Sequence, residues 1–174
     1  MTVGIYYATT TGKTEDVADR LHSFFSTAES PKDVSDVDDL SELEDLDAII
    51  CGIPTWNTGA DEERSGTAWD SILDDIGGLS LSGKKVAIFG LGDTSTYTEN
   101  YCDAMEELHS YFVKAGAEMV GYVDKSSYTF DESKSVIGGS FCGLPLDEDS
   151  ESDLTDSRLE TWAAQLKSEI PSLD

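Results

Sequence analysis

The feature of this sequence that most limits its fold is a series of short apolar runs separated by stretches of helical periodicity. The runs at residues 47–52 and 86–89 do not alternate between apolar and polar residues as a half-exposed strand does, which indicates strands covered on both faces. The predicted strands are Val3–Ala8, a weak one at Asp33–Val37, Ala48–Ile53, Lys84–Gly90, Ala117–Val123 and an extended stretch at Ser140–Leu146.

Four stretches between these runs carry apolar residues at helical spacing. The predicted apolar faces are Val17, Leu21, Phe24 and Ala28; Trp69, Ile72, Leu73 and Ile76; Cys102, Met105, Leu108, Phe112 and Val113; and Leu159, Trp162, Ala163, Leu166 and Ile170. The alternation predicts an α/β fold, a single domain over residues 1–174 with a mostly parallel sheet and helices on both faces. The polar segment 124–139 predicts a long loop inserted near or within the last strand.

The charge balance excludes several classes of function. Eleven Lys and Arg against 36 Asp and Glu give a net charge of −25, which repels nucleic acid and anionic membranes and favours basic protein surfaces. Solubility and adaptation to a salty cytoplasm are alternative reasons for the acidity. No apolar run approaches the roughly 18 residues of a membrane span. The three cysteines have no CxxC spacing, so we predict no disulfide framework, no four-thiolate cluster and no metal site.

A threonine-rich loop follows the first strand directly and opens the first predicted helix: Thr9, Thr10, Thr11, Gly12, Lys13 and Thr14. Hydroxyl groups and free main-chain N–H groups at a helix N-terminus form an anion site, and Gly12 lets the main chain come close. Because four threonines exceed what a helix cap requires, the loop predicts phosphate binding. Tyr7 stands where a Walker A loop has its first glycine, so that motif is excluded.

Two further loops follow the third and fourth strands and each contains an aromatic residue. The first, residues 54–59, places Trp56 between proline, asparagine and glycine, where it could lie flat on an aromatic ligand. The second, residues 90–97, has two glycines for close backbone approach and ends in Tyr97. In a parallel sheet the ligand lies beyond the carboxyl ends of the strands, so the three loops predict a site for a mononucleotide with a large planar ring.

At these residues the chain resembles the long-chain branch of the flavodoxin family. The motifs Thr9-x-Thr11-Gly12-x-Thr14, Pro54-Thr55-Trp56-Asn57-x-Gly59 and Gly92-Asp93…Tyr97…Asn100 stand in the family's order, and the likeness extends to residues 143–147 and Trp162. Residues 59–67 are most similar to flavodoxins of eukaryotic algae. The resemblance implies a three-layer, doubly wound, five-stranded sheet of order 2-1-3-4-5, whose last strand is interrupted by a long insert.

The resemblance also implies a function, a low-potential one-electron carrier with non-covalent FMN and no catalytic residues of its own. Residues 9–14 would hold the phosphate, Trp56 and Tyr97 the ring, and the ring edges would meet Thr55, Asn57, Thr58, Gly59, Leu91, Gly92 and Asp93, with Asn100 and Asp149 as further contacts. The implied partners are basic redox proteins, photosystem I and ferredoxin–NADP⁺ reductase, in transient complexes. We expect a monomer in the chloroplast stroma if the chain is algal, with the transit peptide absent from this sequence, and otherwise in the cytoplasm.

Two rival functions are compatible with the same layer order. An FMN-dependent quinone reductase would need a substrate pocket beside the flavin, and the sequence offers no obvious residues for one. A phospho-acceptor receiver domain would need acidic residues after the first and third strands, where this chain has Ala8-Thr9 and Pro54-Thr55. We further predict that Asp61, Glu62, Glu63, Asp93, Glu99 and Asp103 rim the exposed flavin edge and steer basic partners there.

Overall fold

The computed structural model describes residues 2–174 and has one central parallel sheet. Its strands are β1 Val3–Tyr7, β2 Lys32–Asp33, β3 Ala48–Pro54, β4 Lys85–Leu91, β5 Glu118–Val120 and β9 Leu144–Leu146. Their order is β2-β1-β3-β4-β5, as expected, and β9 pairs with the same edge of β4 as β5 does, one step further along the strand. The long helices are α1 Lys13–His22, α2 Ala68–Gly77, α3 Ala104–Lys114 and α4 Thr155–Glu169.

The last strand is split as predicted, but the insert is not simply a loop. β5 pairs with residues 85–87 of β4, and β9 pairs with residues 89–91 of the same strand. Between them lies a small antiparallel sheet of order β6-β8-β7, formed by Val123–Asp124, Ser140–Phe141 and Val136–Ile137. The predicted strand Ala117–Val123 is therefore too long, because Gly121, at φ 78°, turns the chain away from the sheet.

Two hydrophobic clusters cover the two faces of the sheet because successive side chains of a strand point to opposite faces. On β3, Ile49, Cys51 and Ile53 pack with α2 and α3, whereas Ala48 and Ile50 pack with α1 and α4. Trp69 on one face and Trp162 on the other are buried, and their indole N–H groups donate to the carbonyls of Gly52 and Gly121. The three cysteines are buried and unpaired.

Several predicted boundaries were wrong for local reasons. The weak strand Asp33–Val37 is only two residues long, because the Asp33 carboxylate accepts from Ser35 N and turns the chain into a 3₁₀ helix at Val34–Asp36. Helix α1 ends at His22, so Phe24 and Ala28 lie beyond it, and Cys102 precedes α3. Val113 lies in α3 with about half of its surface exposed. No helix within residues 2–174 has both the length and the apolar character needed to cross a membrane.

Candidate functional site

A crevice of about 300 Å³ lies at the carboxyl ends of β1, β3 and β4. This is the point where the chain order of the sheet reverses, between β1 and β3, and it is the usual ligand position in such sheets. The three predicted loops supply most of its wall, which consists of Thr9, Thr10, Thr11, Lys13, Thr14, Pro54, Thr55, Trp56, Leu91, Gly92, Asp93, Thr96, Tyr97, Glu148 and Asp149.

At one end of the crevice, the threonine loop leads into the N-terminus of α1. Gly12 caps the helix in the left-handed region, at φ 88°, and its N–H donates to the Thr9 hydroxyl at 2.8 Å. The first turn of a helix leaves main-chain N–H groups without intrahelical partners, and Lys13 and Thr14 of this turn line the crevice. No hydrogen bond within residues 2–174 occupies the hydroxyls of Thr10, Thr11 or Thr14. This end can therefore donate many hydrogen bonds to an anion.

Two acidic residues also border the crevice, and both are ion-paired. Asp149 pairs with Lys13, and Glu148 pairs with Arg20 of α1. These pairs offset the carboxylate charges near the threonine loop, so the anion site does not face uncompensated negative charge. Glu148 was not predicted as a site residue, because nothing in the run Asp147-Glu148-Asp149 tells which side chain turns inward.

At the other end, two aromatic side chains stand largely open to solvent. Trp56 is 48% exposed and Tyr97 is 44% exposed, although most large apolar side chains of this chain are buried. Both line the same crevice. Exposed aromatic faces on a concave surface offer a stacking surface for a planar ligand.

The remaining predicted residues are placed around the crevice in different ways. Thr55 lines it, but its hydroxyl also accepts from Ala104 N and so caps α3. Gly12, Asn57, Thr58, Gly59 and Asn100 are not part of the wall. Asn57 donates its side-chain amide to the Glu63 carbonyl, and its own carbonyl accepts from Ala60 N at 3.2 Å.

Asp147 was not predicted as a site residue, yet it holds two of the crevice loops together. Its carboxylate is fully buried and accepts from Thr94 N and the Thr94 hydroxyl at 2.8 Å, and from the main-chain N–H groups of Asp149 and Ser150. Thr96 and Pro54, also missed, are wall residues next to predicted ones. A single buried carboxylate in an acidic run has no sequence signal of its own.

Six acidic residues were predicted to rim the crevice; four of them are exposed and Asp93 is half-buried, but Asp103 differs from the expectation. Asp103 is fully buried and accepts from Lys134 N at 2.8 Å, so its predicted place on the rim was wrong. Partial burial alone would raise the pKa of Asp93, but hydrogen bonds from Ser150, Thr96 and Ser95 hold that pKa below its ordinary value. We call the other five predicted residues the acidic rim: Asp61, Glu62, Glu63, Asp93 and Glu99.

Comparison with known proteins gives one consistent family. The sequence model described as "Flavodoxin" matches residues 5–162. The chain is 41% identical over 171 residues to a flavodoxin of Synechococcus elongatus, covering 97% of each chain. It is 40% identical to a flavodoxin of a Nostoc species, covering 97% of this chain and 96% of the relative. Among solved structures, the flavodoxin of Fusobacterium nucleatum bound to flavin mononucleotide superimposes with a TM-score of 0.87 at 29% identity, covering 97% of this chain and 98% of that one.

The matched region includes all three loops of the crevice, and the resemblance noted from the sequence motifs is thereby confirmed. The relatives match over nearly their whole length, so the correspondence is not limited to one module. The chain belongs to the flavodoxin family.

Proposed function

We propose that this chain binds one FMN non-covalently in the crevice and carries single electrons between larger redox proteins. The observation that carries the proposal is the pairing of two different surfaces in one cavity. One end presents the N-terminus of α1 with free threonine hydroxyls, and the other presents Trp56 and Tyr97. A phosphate suits the first surface and a flat, conjugated ring suits the second.

Residues 9–14 would hold the phosphate of FMN through hydroxyl and main-chain N–H groups. Trp56 and Tyr97 would cover the two faces of the ring, and Leu91, Gly92 and Asp93 would meet its edge. The turn at Asn57, Thr58 and Gly59 stands just outside the wall and would reach the ring only through its main chain. Asp149 and Asn100 are proposed as minor contacts, since Asp149 is already paired with Lys13 and Asn100 lies in a neighbouring depression.

When bound, FMN would supply one- and two-electron chemistry, and the protein would set its electron affinity. Two features of the chain oppose added negative charge on the ring: the net charge of −25 and the two aromatic side chains, which exclude water from its faces. The fully reduced cofactor should therefore be a strong reductant. The relatives that match this chain over nearly their whole length are named flavodoxins, which supports a carrier rather than an enzyme.

The acidic rim supports docking of basic redox partners at the open side of the crevice. Asp61, Glu62 and Glu63 are exposed on the segment that directly follows the turn at 57–60. Such a surface accelerates encounter with a basic patch, and salt weakens the effect. As specific partners we propose photosystem I and ferredoxin–NADP⁺ reductase, which a monomer would meet in the chloroplast stroma of an alga or otherwise in the cytoplasm.

Stepwise anaerobic reduction of the purified protein, followed by visible absorbance, tests the proposal. We expect flavin bands that disappear in two separate one-electron stages, with free FMN recovered after denaturation. A protein that stays colourless after incubation with FMN would overturn the proposal. Steady oxidation of NAD(P)H by the isolated protein would instead indicate an FMN-dependent reductase.

A further inference from the structure

Arg64 is a buried basic residue that directly follows three exposed acidic residues. Asp61, Glu62 and Glu63 are exposed, whereas only 4% of the Arg64 side chain is accessible to solvent. Removing a guanidinium from water is costly unless ion pairs and hydrogen bonds compensate. The buried guanidinium of Arg64 therefore needs a charged partner nearby.

The guanidinium of Arg64 forms an ion pair with helix α3. Its Nη2 pairs with Glu106 Oε2, and the preceding residue, Glu63, donates its main-chain N–H to Glu107 Oε2 at 3.1 Å. Two successive residues of the loop thus bind two successive carboxylates of one rigid helix. Burial raises the pKa of Glu107, while the nearby Arg64 charge opposes that rise and favours the ionised acceptor.

The backbone of Arg64 is hydrogen-bonded to the end of the crevice that contains Trp56, which we call the ring end. Its carbonyl accepts the main-chain N–H groups of Trp56 at 2.9 Å and of Asn57 at 2.8 Å. These two residues follow the end of β3 closely, where Pro54, Thr55 and Trp56 form part of the crevice wall. Any displacement of Arg64 would therefore pass directly to the backbone that carries Trp56.

The segment around Arg64 also packs closely behind Trp56. A Cβ atom at Gly66 would lie 3.2 Å from the Trp56 Cβ, and Gly66 adopts a φ of 63° that favours glycine. Its N–H donates to Asp70 of α2 at 2.8 Å. Residues 63–66 therefore form a wedge between Trp56 and the two helices α2 and α3.

The Arg64 ion pair is poorly suited to a role in stability alone. Arg64 Nε is buried and has no hydrogen-bond partner within residues 2–174, so the guanidinium is only partly compensated. When both partners of an incompletely satisfied buried ion pair are replaced by apolar side chains, little stability is often lost. What an apolar side chain cannot replace is the directional attachment to Glu106.

We propose that Arg64 is the positioning residue for the ring end of the crevice: it fixes residues 63–66 on α3 and thereby orders the backbone of Trp56 and Asn57 before the ligand binds. A site that is ordered in advance binds more tightly, because binding no longer has to order it. The inference rests on the proposed FMN site and adds the residue that holds the ring-stacking side chain in place.

The test compares the binding of FMN and of riboflavin, which lacks the phosphate, to the apoprotein by flavin fluorescence. Arg64→Met should weaken both ligands by the same factor, about tenfold, since one hydrogen bond to a charged group is lost from the ring end only. Thr11→Ala should weaken FMN and leave riboflavin unchanged. Arg158→Met is the matched control: its half-buried guanidinium pairs with Glu151 and lies over Tyr128, and Arg158 does not line the crevice.

Three further measurements separate positioning from general structural damage. Amide exchange in Arg64→Met should accelerate at Trp56 and Asn57 while β1 and β4 remain protected. Arg64→Lys, which keeps the charge, should recover part of the affinity. Glu106→Gln, which keeps an acceptor but removes its charge, should give part of the same loss for both ligands, and combining it with Arg64→Met should add little. These two milder variants also keep the test valid if Arg64→Met does not fold.

The outcomes for this inference and for the proposed function are distinct. Failure of the wild-type protein to bind FMN would overturn the proposed function. Wild-type binding with unchanged affinities for FMN and riboflavin in Arg64→Met would overturn the positioning role and leave the FMN site intact. A loss confined to FMN would also overturn it, because it would place the effect of Arg64 at the phosphate.

Discussion

Replacing Asp147 by asparagine should destabilise the protein substantially, although the two side chains have the same shape. Oδ2 of Asp147 accepts from Thr94 N and the Thr94 hydroxyl, and Oδ1 accepts from Asp149 N at 3.0 Å and Ser150 N at 2.7 Å. The residue is fully buried, so water cannot replace a lost partner. Asparagine has the same shape but puts an NH₂ donor where one of these acceptors was.

The loss of stability can be estimated from the orientation of the asparagine amide that breaks the fewest hydrogen bonds. If the NH₂ group faces Thr94, the hydroxyl can turn to accept, but Thr94 N is left buried opposite another donor. A lost hydrogen bond to a charged group costs roughly 1.5–3 kcal/mol, and the two bonds that remain lose their charge assistance. We expect a total loss of about 3 kcal/mol, which lowers the melting temperature of a chain of this size by roughly 6–12 °C.

Urea unfolding of the apoprotein measures the effect directly, with Asp38→Asn as the control. Asp38 is exposed, so this variant changes the net charge equally without removing a buried acceptor. Asp147→Asn should lower the unfolding midpoint well below that of the control at an unchanged slope. Equal midpoints for the two variants would refute the view that this carboxylate holds the crevice loops together.

Three further predictions follow from the loops and the rim. Thr58→Gly should raise the midpoint potential of the first reduction step in a redox titration. Rotation of the peptide between Asn57 and Thr58 breaks the hydrogen bond from Ala60 N to the Asn57 carbonyl and requires a backbone conformation that glycine adopts more readily. An unchanged or lower potential would contradict this. Glu107→Gln should become more stable relative to wild type as the pH rises from about 4 to about 7, measured by urea unfolding. The pKa of Glu107 is raised in the folded wild type, so the stability that its protonated form contributes is lost as the pH rises through that pKa, whereas glutamine does not titrate. Parallel pH profiles of the two proteins would contradict this. Electron transfer to a basic reductase should slow with rising ionic strength in stopped-flow experiments, and neutralising the acidic rim should flatten that dependence; salt-independent rates would rule out electrostatic docking.

The sheet could be predicted from the sequence because buried parallel strands are encoded locally. Each of the runs 3–8, 48–53 and 84–90 is largely apolar on both faces, and these three strands of the structure differ from their predictions by single residues at the ends. The helices were equally visible where the apolar period was long, as in α4. The region after His22 was mispredicted, because Phe24 continues the apolar spacing although the chain has already left the helix.

The crevice loops could be located from the sequence, but their internal bonds could not. Motif order places Trp56 and Tyr97 at neighbouring strand ends, since the carboxyl ends of parallel strands meet at one edge. Which acidic side chain turns inward is decided by contacts between distant segments, such as Asp147 with Thr94 and Arg64 with Glu106. Asp103 shows the same limit, because its burial depends on the insert that folds over it.

A crystal structure of the protein grown with FMN tests the central claim most directly. We expect the phosphate on residues 9–14 at the N-terminus of α1 and the ring between Trp56 and Tyr97, with the Arg64 carbonyl still accepting from Trp56 N. FMN bound with its phosphate away from residues 9–14, or with its ring away from the two aromatic side chains, would contradict the account.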